Sequence, residues 1–285
     1  MGGANISSTF QNSLAQFVLR KEHGRSVKGL KGKIVLVTGS SRGIGRSIAL
    51  AFAAQGSRMV IVGRAQPTLD RVAEEILRFG AQALPVSCNV TQKEEVEALR
   101  QKIASRLGTV QILINNAGIA PAASFLEMDD RLWEEVFKVN LTGTYYCCKA
   151  FLPEMVNARW GRIINIASTV AKVAYPNISA YTASKHAVLG LTRALAVETA
   201  KFGVTVNAIC PGYVRTELTL NNAELMAEKT NKGVEEIIRL FEHTSPQNRL
   251  ITPEEVAELS VMLASESAKG ITGQAVNVDG GAVMV

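Results

Sequence analysis

The sequence predicts an α/β fold, a single doubly wound domain on a parallel sheet of seven strands. Two observations carry this. Short apolar runs alternate strictly with segments of helical period from Lys33 almost to the end of the chain. Hydrophobic residues are 47% of the 285, mostly aliphatic, which suits strands buried on both faces beneath packed helices.

The elements follow in order. "KIVLVTG" is the first strand, and "GIGRSIALAFAAQG" a helix stopped by Gly56. Strand "RMVIVG", helix "LDRVAEEILRFG", strand "QALPVSC", helix "KEEVEALRQKIASRLG" and strand "QILINNAG" come next. One long helix is expected over about 129–155. Strand "GRIINIAS", helix "AYTASKHAVLGLTRALAVETAKFG" and strand "VTVNAICPG" continue the alternation. A polar, helix-prone stretch covers about 215–243. Thr252-Pro253-Glu254-Glu255 then opens a helix as a capping box with proline in the first turn. "QAVNVDGG" is the last strand. No second core or internal linker interrupts residues 31–285, and about 213–249 reads as a lid segment.

Residues 1–30 stand apart as an N-terminal extension. Phe10, Leu14, Phe17 and Val18 form an amphipathic stripe that Ser7 or Ser8 could cap. Arg20, Lys21, Arg25 and Lys28 oppose only Glu22, as in an organellar presequence. "MGGANIS" misses the myristoylation pattern, because Ile6 stands where Ser or Thr belongs. No apolar run approaches the ~18 residues of a membrane span, and the N-terminus lacks a secretory apolar region. A cytoplasmic location is the expectation, with an organelle as the alternative.

The net charge of +6 is spread along the chain, not gathered into runs, which argues against nucleic acid and suits an anionic cofactor. Cys88, Cys147, Cys148 and Cys210 contain no CxxC and read as small buried residues of a reducing compartment. The three histidines lack ligand spacing, so no metal site is expected.

On such sheets ligands bind beyond the carboxyl ends of the strands, where strand order reverses. "TGSSRGIG", Thr38 to Gly45, follows the first strand. Gly39, Gly43 and Gly45 permit a tight turn and close approach to an anion at a helix N-terminus. The spacing matches neither Gly-x-Gly-x-x-Gly nor the Walker pattern. The second strand ends at Gly63-Arg64, where NAD-binding sheets commonly carry an acid for the ribose diol. Arg64, with Arg42 in the glycine turn, favours a 2′-phosphate and therefore NADP(H), with NAD(H) as the alternative.

Two pairs, Tyr181 with Lys185 in "YTASK" and Tyr145 with Lys149 in "YYCCK", place a phenol one helical turn from an ammonium. A nearby ammonium favours the phenolate. Spacing alone does not choose between the pairs.

"TGSSRGIG", "NNAG" (Asn115 to Gly118), Asn140, Ser168, "YTASK" and "CPGYVRT" together resemble the short-chain dehydrogenase/reductases, over about 30–285. The resemblance implies a Rossmann-like domain, a homotetramer or homodimer joined through the helices beginning near Asp129 and Ala180, and ketone–alcohol interconversion. It implies a catalytic set of Asn140, Ser168, Tyr181 and Lys185. Ser168 precedes Tyr181 at the family's distance; no such serine precedes Tyr145, whose pair reads as packing or surface. Tyr181 is the implied acid and base, with Lys185 lowering its pKa and bonding the nicotinamide ribose. Ser168 is implied to hold the carbonyl, and Asn140 a relay water. The implied cofactor set is Gly39, Ser41, Arg42, Gly43, Ile44, Gly45, Arg64, Asn89, Val90, Asn115, Ala117, Gly118, Tyr181, Lys185, Pro211, Gly212, Val214 and Thr216. Asn89 stands where many relatives carry an aspartate, and its amide oxygen is expected to accept from the adenine amino group.

The chain looks most like 3-oxoacyl-carrier-protein reductases, polyketide ketoreductases and hydroxyacyl-CoA dehydrogenases. It departs from the carrier-protein reductases at Pro153 and Val197, where those tend to carry arginines for an acidic carrier. A small carbonyl or acyl-thioester substrate is expected. An NAD-dependent hydroxyacyl-CoA or alcohol dehydrogenase is the alternative enzyme, and a cofactor-binding scaffold the alternative class.

Overall fold

β1, Ile34–Thr38, lies inside the sheet between β2 and β4, and its side chains alternate between two cores. In the computed structural model, which describes residues 27–285, seven strands pair in parallel in the order β3-β2-β1-β4-β5-β6-β7. The strands are β2 Arg58–Gly63, β3 Ala83–Ser87, β4 Ile112–Asn115, β5 Gly161–Ile166, β6 Val204–Pro211 and β7 Ala275–Val278. Order reverses between β1 and β4, where Val35 pairs with Ile112 and Val37 with Ile114.

Helices cover both faces. On one lie α1 (Gly43–Ala54), α2 (Gln66–Arg78) and α9 (Pro253–Ala264), whose Ile48, Phe52, Leu69, Ile76, Val256 and Leu263 bury against Val35 and Val37. On the other, α3 (Lys93–Arg106) and α5 (Gly143–Asn157) bury Val96, Leu99, Phe151 and Met155 against Ile34 and Leu36. α6, Ser179–Thr199, packs along β6. The segment after β6 forms two helices, α7 (Glu217–Thr230) and α8 (Val234–Glu242), around a small apolar cluster of their own.

Two details differ from the sequence reading. The long helix expected over 129–155 is divided into α4 (Asp130–Phe137), a π turn (Lys138–Thr142) and α5. Asn140 lies in that π turn, a wider winding often found at functional sites. Packing also begins before residue 31, since Leu30 is fully buried and the Val27 N–H donates to Gln55 Oε1 at 2.9 Å. The amphipathic stripe from Phe10 to Val18, with the basic residues beside it, lies outside the described residues. Among the described residues no helix is long and apolar enough to cross a membrane.

The capping box forms as read: Thr252 Oγ1 accepts from the Glu255 N–H, and the Glu255 carboxylate accepts from the Thr252 N–H at 2.8 Å. Arg249 clamps the same carboxylate through both its terminal nitrogens and holds its pKa down to about 2. Thr252→Ala should lower stability by about 1 kcal/mol in urea unfolding and leave the circular dichroism of the folded protein unchanged.

Candidate active site

The turn after β1 and the turn after β4 are bonded to each other. Asn116 donates through Nδ2 to the Thr38 and Gly39 carbonyls at 2.9 and 3.0 Å. Thr38 Oγ1 accepts the N–H groups of Asn116 and Ala117 at 3.0 and 3.1 Å. Gly39 has φ +64°, and a Cβ there would stand 2.9 Å from the Ala117 Cα, so only glycine fits. Ser40 ties the turn sideways, its hydroxyl accepting the Val62 N–H at 2.8 Å. Sequence reasoning passed over Thr38, Ser40 and Asn116, because their partners lie on other strands.

At the start of α1 no side chain caps the helix and no acid occupies the first turn. Its leading N–H groups are therefore open to an anion, and Ser41, Gly43, Ile44 and Gly45 surround them. Arg42 and Arg64 are both exposed beside this turn. Among the described residues Arg64 has no acidic partner, whereas Arg42 pairs with Glu217 at 2.9 Å. This donor set fits the diphosphate of a dinucleotide.

Val90 is buried against Gly143, and Ile44 is partly buried against the core. Asn115 is 4% exposed and turned inward, its Nδ2 donating to Asn165 Oδ1 at 2.8 Å and to Cys148 Sγ at 3.3 Å. Asn165 passes the chain on to Thr192 of α6 at 2.8 Å. Asn89 differs from expectation. Its Oδ1 accepts from the Thr91 N–H and hydroxyl at 3.2 and 3.0 Å, an Asx turn that uses both lone pairs and leaves the NH2 group as the available polar end.

The four expected catalytic residues come together. Ser168 follows β5, where its hydroxyl accepts the Val170 N–H at 3.3 Å, and it is near enough to the Tyr181 phenol to lower its pKa. Lys185 is 5% exposed, donates to the Ile166 carbonyl at 2.8 Å, and lies 5.7 Å from the Tyr181 ring centre. Asn140 is 1% exposed; it accepts the Ile119 N–H at 2.9 Å and donates to the Ile119 carbonyl and to Ser184 Oγ, each at 3.0 Å. Ser184 in turn donates to the Tyr181 carbonyl at 2.8 Å. A Cβ on Gly118 would stand 3.2 Å from Asn140 Oδ1 and 3.6 Å from Lys185 Nζ, so the β4 turn, the π turn and α6 converge here. Tyr145 and Lys149, by contrast, are exposed on α5.

Pro211, Gly212, Val214 and Thr216 line the exit from β6. Gly212 donates to Val278 at 3.0 Å, Val214 is buried in a bridge to Ile251, and Thr216 caps α7. Tyr213 between them stacks on Phe241 of α8, ring centres 4.3 Å apart.

Electrostatics depart from the simple expectation for the Tyr–Lys pair. Burial pushes the Tyr181 phenol up to about 12, opposed by the neighbouring Ser168 hydroxyl. Burial also brings Lys185 down to about 8. Desolvation outweighs attraction because the ammonium is spent on a neutral carbonyl.

Ketone–alcohol oxidoreductases on a Rossmann-like sheet are the class this arrangement defines. The chain belongs to the short-chain dehydrogenase/reductase family. The family model described as "Enoyl-(Acyl carrier protein) reductase" matches residues 39–283. The D-beta-hydroxybutyrate dehydrogenase of Cupriavidus necator is 40% identical over 256 residues, 88% of this chain and 98% of that protein. The 3-oxoacyl-[acyl-carrier-protein] reductase FabG of Aquifex aeolicus is 40% identical over 253 residues, covering 88% and 98%. A solved actinorhodin polyketide ketoreductase variant with NADPH superposes at TM-score 0.86, with 36% identity, 90% of this chain and 98% of that one.

The shift on Lys185 carries a stability consequence. The folded protein releases this proton near pH 8, while the unfolded chain holds it to about 10.5. The burial penalty is fully present below pH 8 and is relieved as pH rises, so stability increases through that window. Relative to Lys185→Met, the wild type should gain about 2 kcal/mol in urea unfolding between pH 7 and 9.5.

Proposed function

We propose that this chain is an NADP(H)-dependent reductase interconverting a ketone and a secondary alcohol, with a 3-oxoacyl-type carbonyl compound as substrate. The observation that carries the reading is the Ser168–Tyr181–Lys185 group beside an uncapped, glycine-lined helix start flanked by two exposed arginines. The NADPH-bound ketoreductase neighbour and the FabG relative support it.

In this reading the α1 N-terminus and the glycine turn hold the diphosphate, and Arg42 and Arg64 the 2′-phosphate. Asn89, Val90, Asn115, Ala117 and Gly118 border the adenosine, with Asn115 contributing through its main chain. Pro211, Gly212, Val214 and Thr216 flank the nicotinamide, which when bound supplies or accepts the hydride at the carbonyl carbon. The Ser168 hydroxyl donates to the carbonyl oxygen and fixes its place. The Tyr181 O–H then delivers its proton to that oxygen as charge develops on it, and takes it back in the reverse direction. Lys185, buried beneath the ring, offsets the phenolate charge and turns to the ribose hydroxyls. Asn140 ties the π turn to Ile119 and Ser184 through its side chain, its main-chain carbonyl accepts from the Thr144 hydroxyl at 2.9 Å, and in this reading a relay water stands beside it.

Tyr213, Phe241 and the α7–α8 cluster give the acyl side an apolar wall. Val197 is apolar and 83% exposed where an acidic carrier protein would need a cation, so a small thioester or free ketone is favoured. A homodimer or homotetramer would cover the outward faces of α4–α5 and α6, where Trp133, Tyr145 and Val197 are exposed.

The test is a panel of 3-oxoacyl thioesters, ketones and secondary alcohols assayed with NADPH and NADH. Turnover on at least one carbonyl compound with NADPH preferred is the expected result; turnover with NADH alone would remove the cofactor reading. Tyr181→Phe should keep nucleotide binding and lose about 10²–10⁴-fold in kcat. Tyr145→Phe should retain activity; a swap of these outcomes would move the site to the other tyrosine.

A further inference from the structure

Arg42 and Glu217 are 175 residues apart in the chain and meet across the gap between the glycine turn and the lid. Arg42 precedes α1, and its Nη1 donates to Glu217 Oε2 at 2.9 Å. Glu217 is the first residue of α7, directly after the capping Thr216. The two turns already touch beneath the pair, because a Cβ on Gly43 would lie 3.2 Å from Thr216 Cγ2. Gly43 has φ +52°, so a side chain there is doubly disfavoured and the approach is kept close.

A carboxylate and a phosphate offer a guanidinium the same thing, negative charge on paired oxygens. The side chains of Arg42 and Glu217 are 62% and 53% exposed, so water screens the pair and it is cheaply broken. We propose that Glu217 is a cofactor-specificity residue: its carboxylate occupies the Arg42 guanidinium in place of a 2′-phosphate. A 2′-phosphorylated dinucleotide binds by exchanging that partner, and an unphosphorylated one leaves the pair intact. The inference rests on the assignment of Arg42 to the 2′-phosphate made above. It also gives the exchange a second effect. The pair is a tie from the glycine turn to the first turn of the lid, and the phosphorylated nucleotide alone would release it.

The experiment is direct titration, without substrate, of wild type, Glu217→Gln, Arg42→Gln and the double variant, with NADPH and with NADH, followed by nicotinamide fluorescence. Glu217→Gln should tighten NADPH about two- to five-fold and leave NADH unchanged. In the Arg42→Gln background the Glu217→Gln gain should vanish, as a double-mutant cycle requires of a direct pair. Unchanged NADPH affinity in Glu217→Gln overturns the inference, as does an equal gain for NADH. A gain that survives without Arg42 also overturns it, since that gain would be general charge repulsion. If Arg42→Gln lowers the NADPH-to-NADH preference while Glu217→Gln does nothing, this inference alone fails. If Arg42→Gln leaves the preference as in wild type, the assignment of Arg42 to the phosphate fails, and this inference falls with it.

Discussion

The site depends on how closely the turn after β1 lies against the turn after β4. One amide, that of Asn116, bonds two successive carbonyls of the glycine turn, and one hydroxyl, that of Thr38, gathers two N–H groups coming the other way. These bonds bridge the point where strand order reverses, the one place in the sheet where neighbouring strands send their helices to opposite faces. The crevice that results is narrow because the glycines allow backbone to touch backbone. Everything later in the chain is arranged around that crevice, including the π turn, the start of α6 and the exit from β6.

Burial then sets the chemistry. Tyr181 and Lys185 sit where water is scarce, and both are pushed toward their neutral forms. A phenol with a pKa near 12 holds its proton at neutral pH, which is the form that can give a proton to a carbonyl oxygen. The ammonium rests on the Ile166 carbonyl at the end of β5, one hydrogen bond from the strand that carries Ser168. Strand, tyrosine and lysine are thus fixed to a common frame, with Ser168 two residues beyond the strand at the cap of a short turn.

Much of this was legible in the sequence. Strand–helix alternation fixed the layers, because strands buried on both faces must be apolar throughout. Glycine spacing located the turn at α1, and Thr252 with Glu255 announced the capping box. What escaped was governed by contacts distant in sequence or by fine helical winding. The π turn at Lys138–Thr142 contains no glycine or proline, and its extra residue is invisible to a periodicity reading. The Asx turn of Asn89 follows from Thr91 two residues on, a local signal carried by the sequence itself. The partner of Arg42 could not be read at all, since nothing in "TGSSRGIG" points to residue 217. The Tyr–Lys spacing in "YTASK" was visible, but spacing gives proximity and says nothing of desolvation, the larger effect here.

The four cysteines are free and buried, and burial holds Cys88 near 11 and Cys148 near 12, with Cys147 and Cys210 also raised. A thiol with almost no thiolate and no access to solvent does not react while the fold is closed. Cys88 directly follows β3, Cys147 and Cys148 lie on the buried face of α5, and Cys210 is inside β6. The chain therefore carries a set of silent clocks spread over three regions, and the rate at which an alkylating reagent finds each thiol measures how often that region opens.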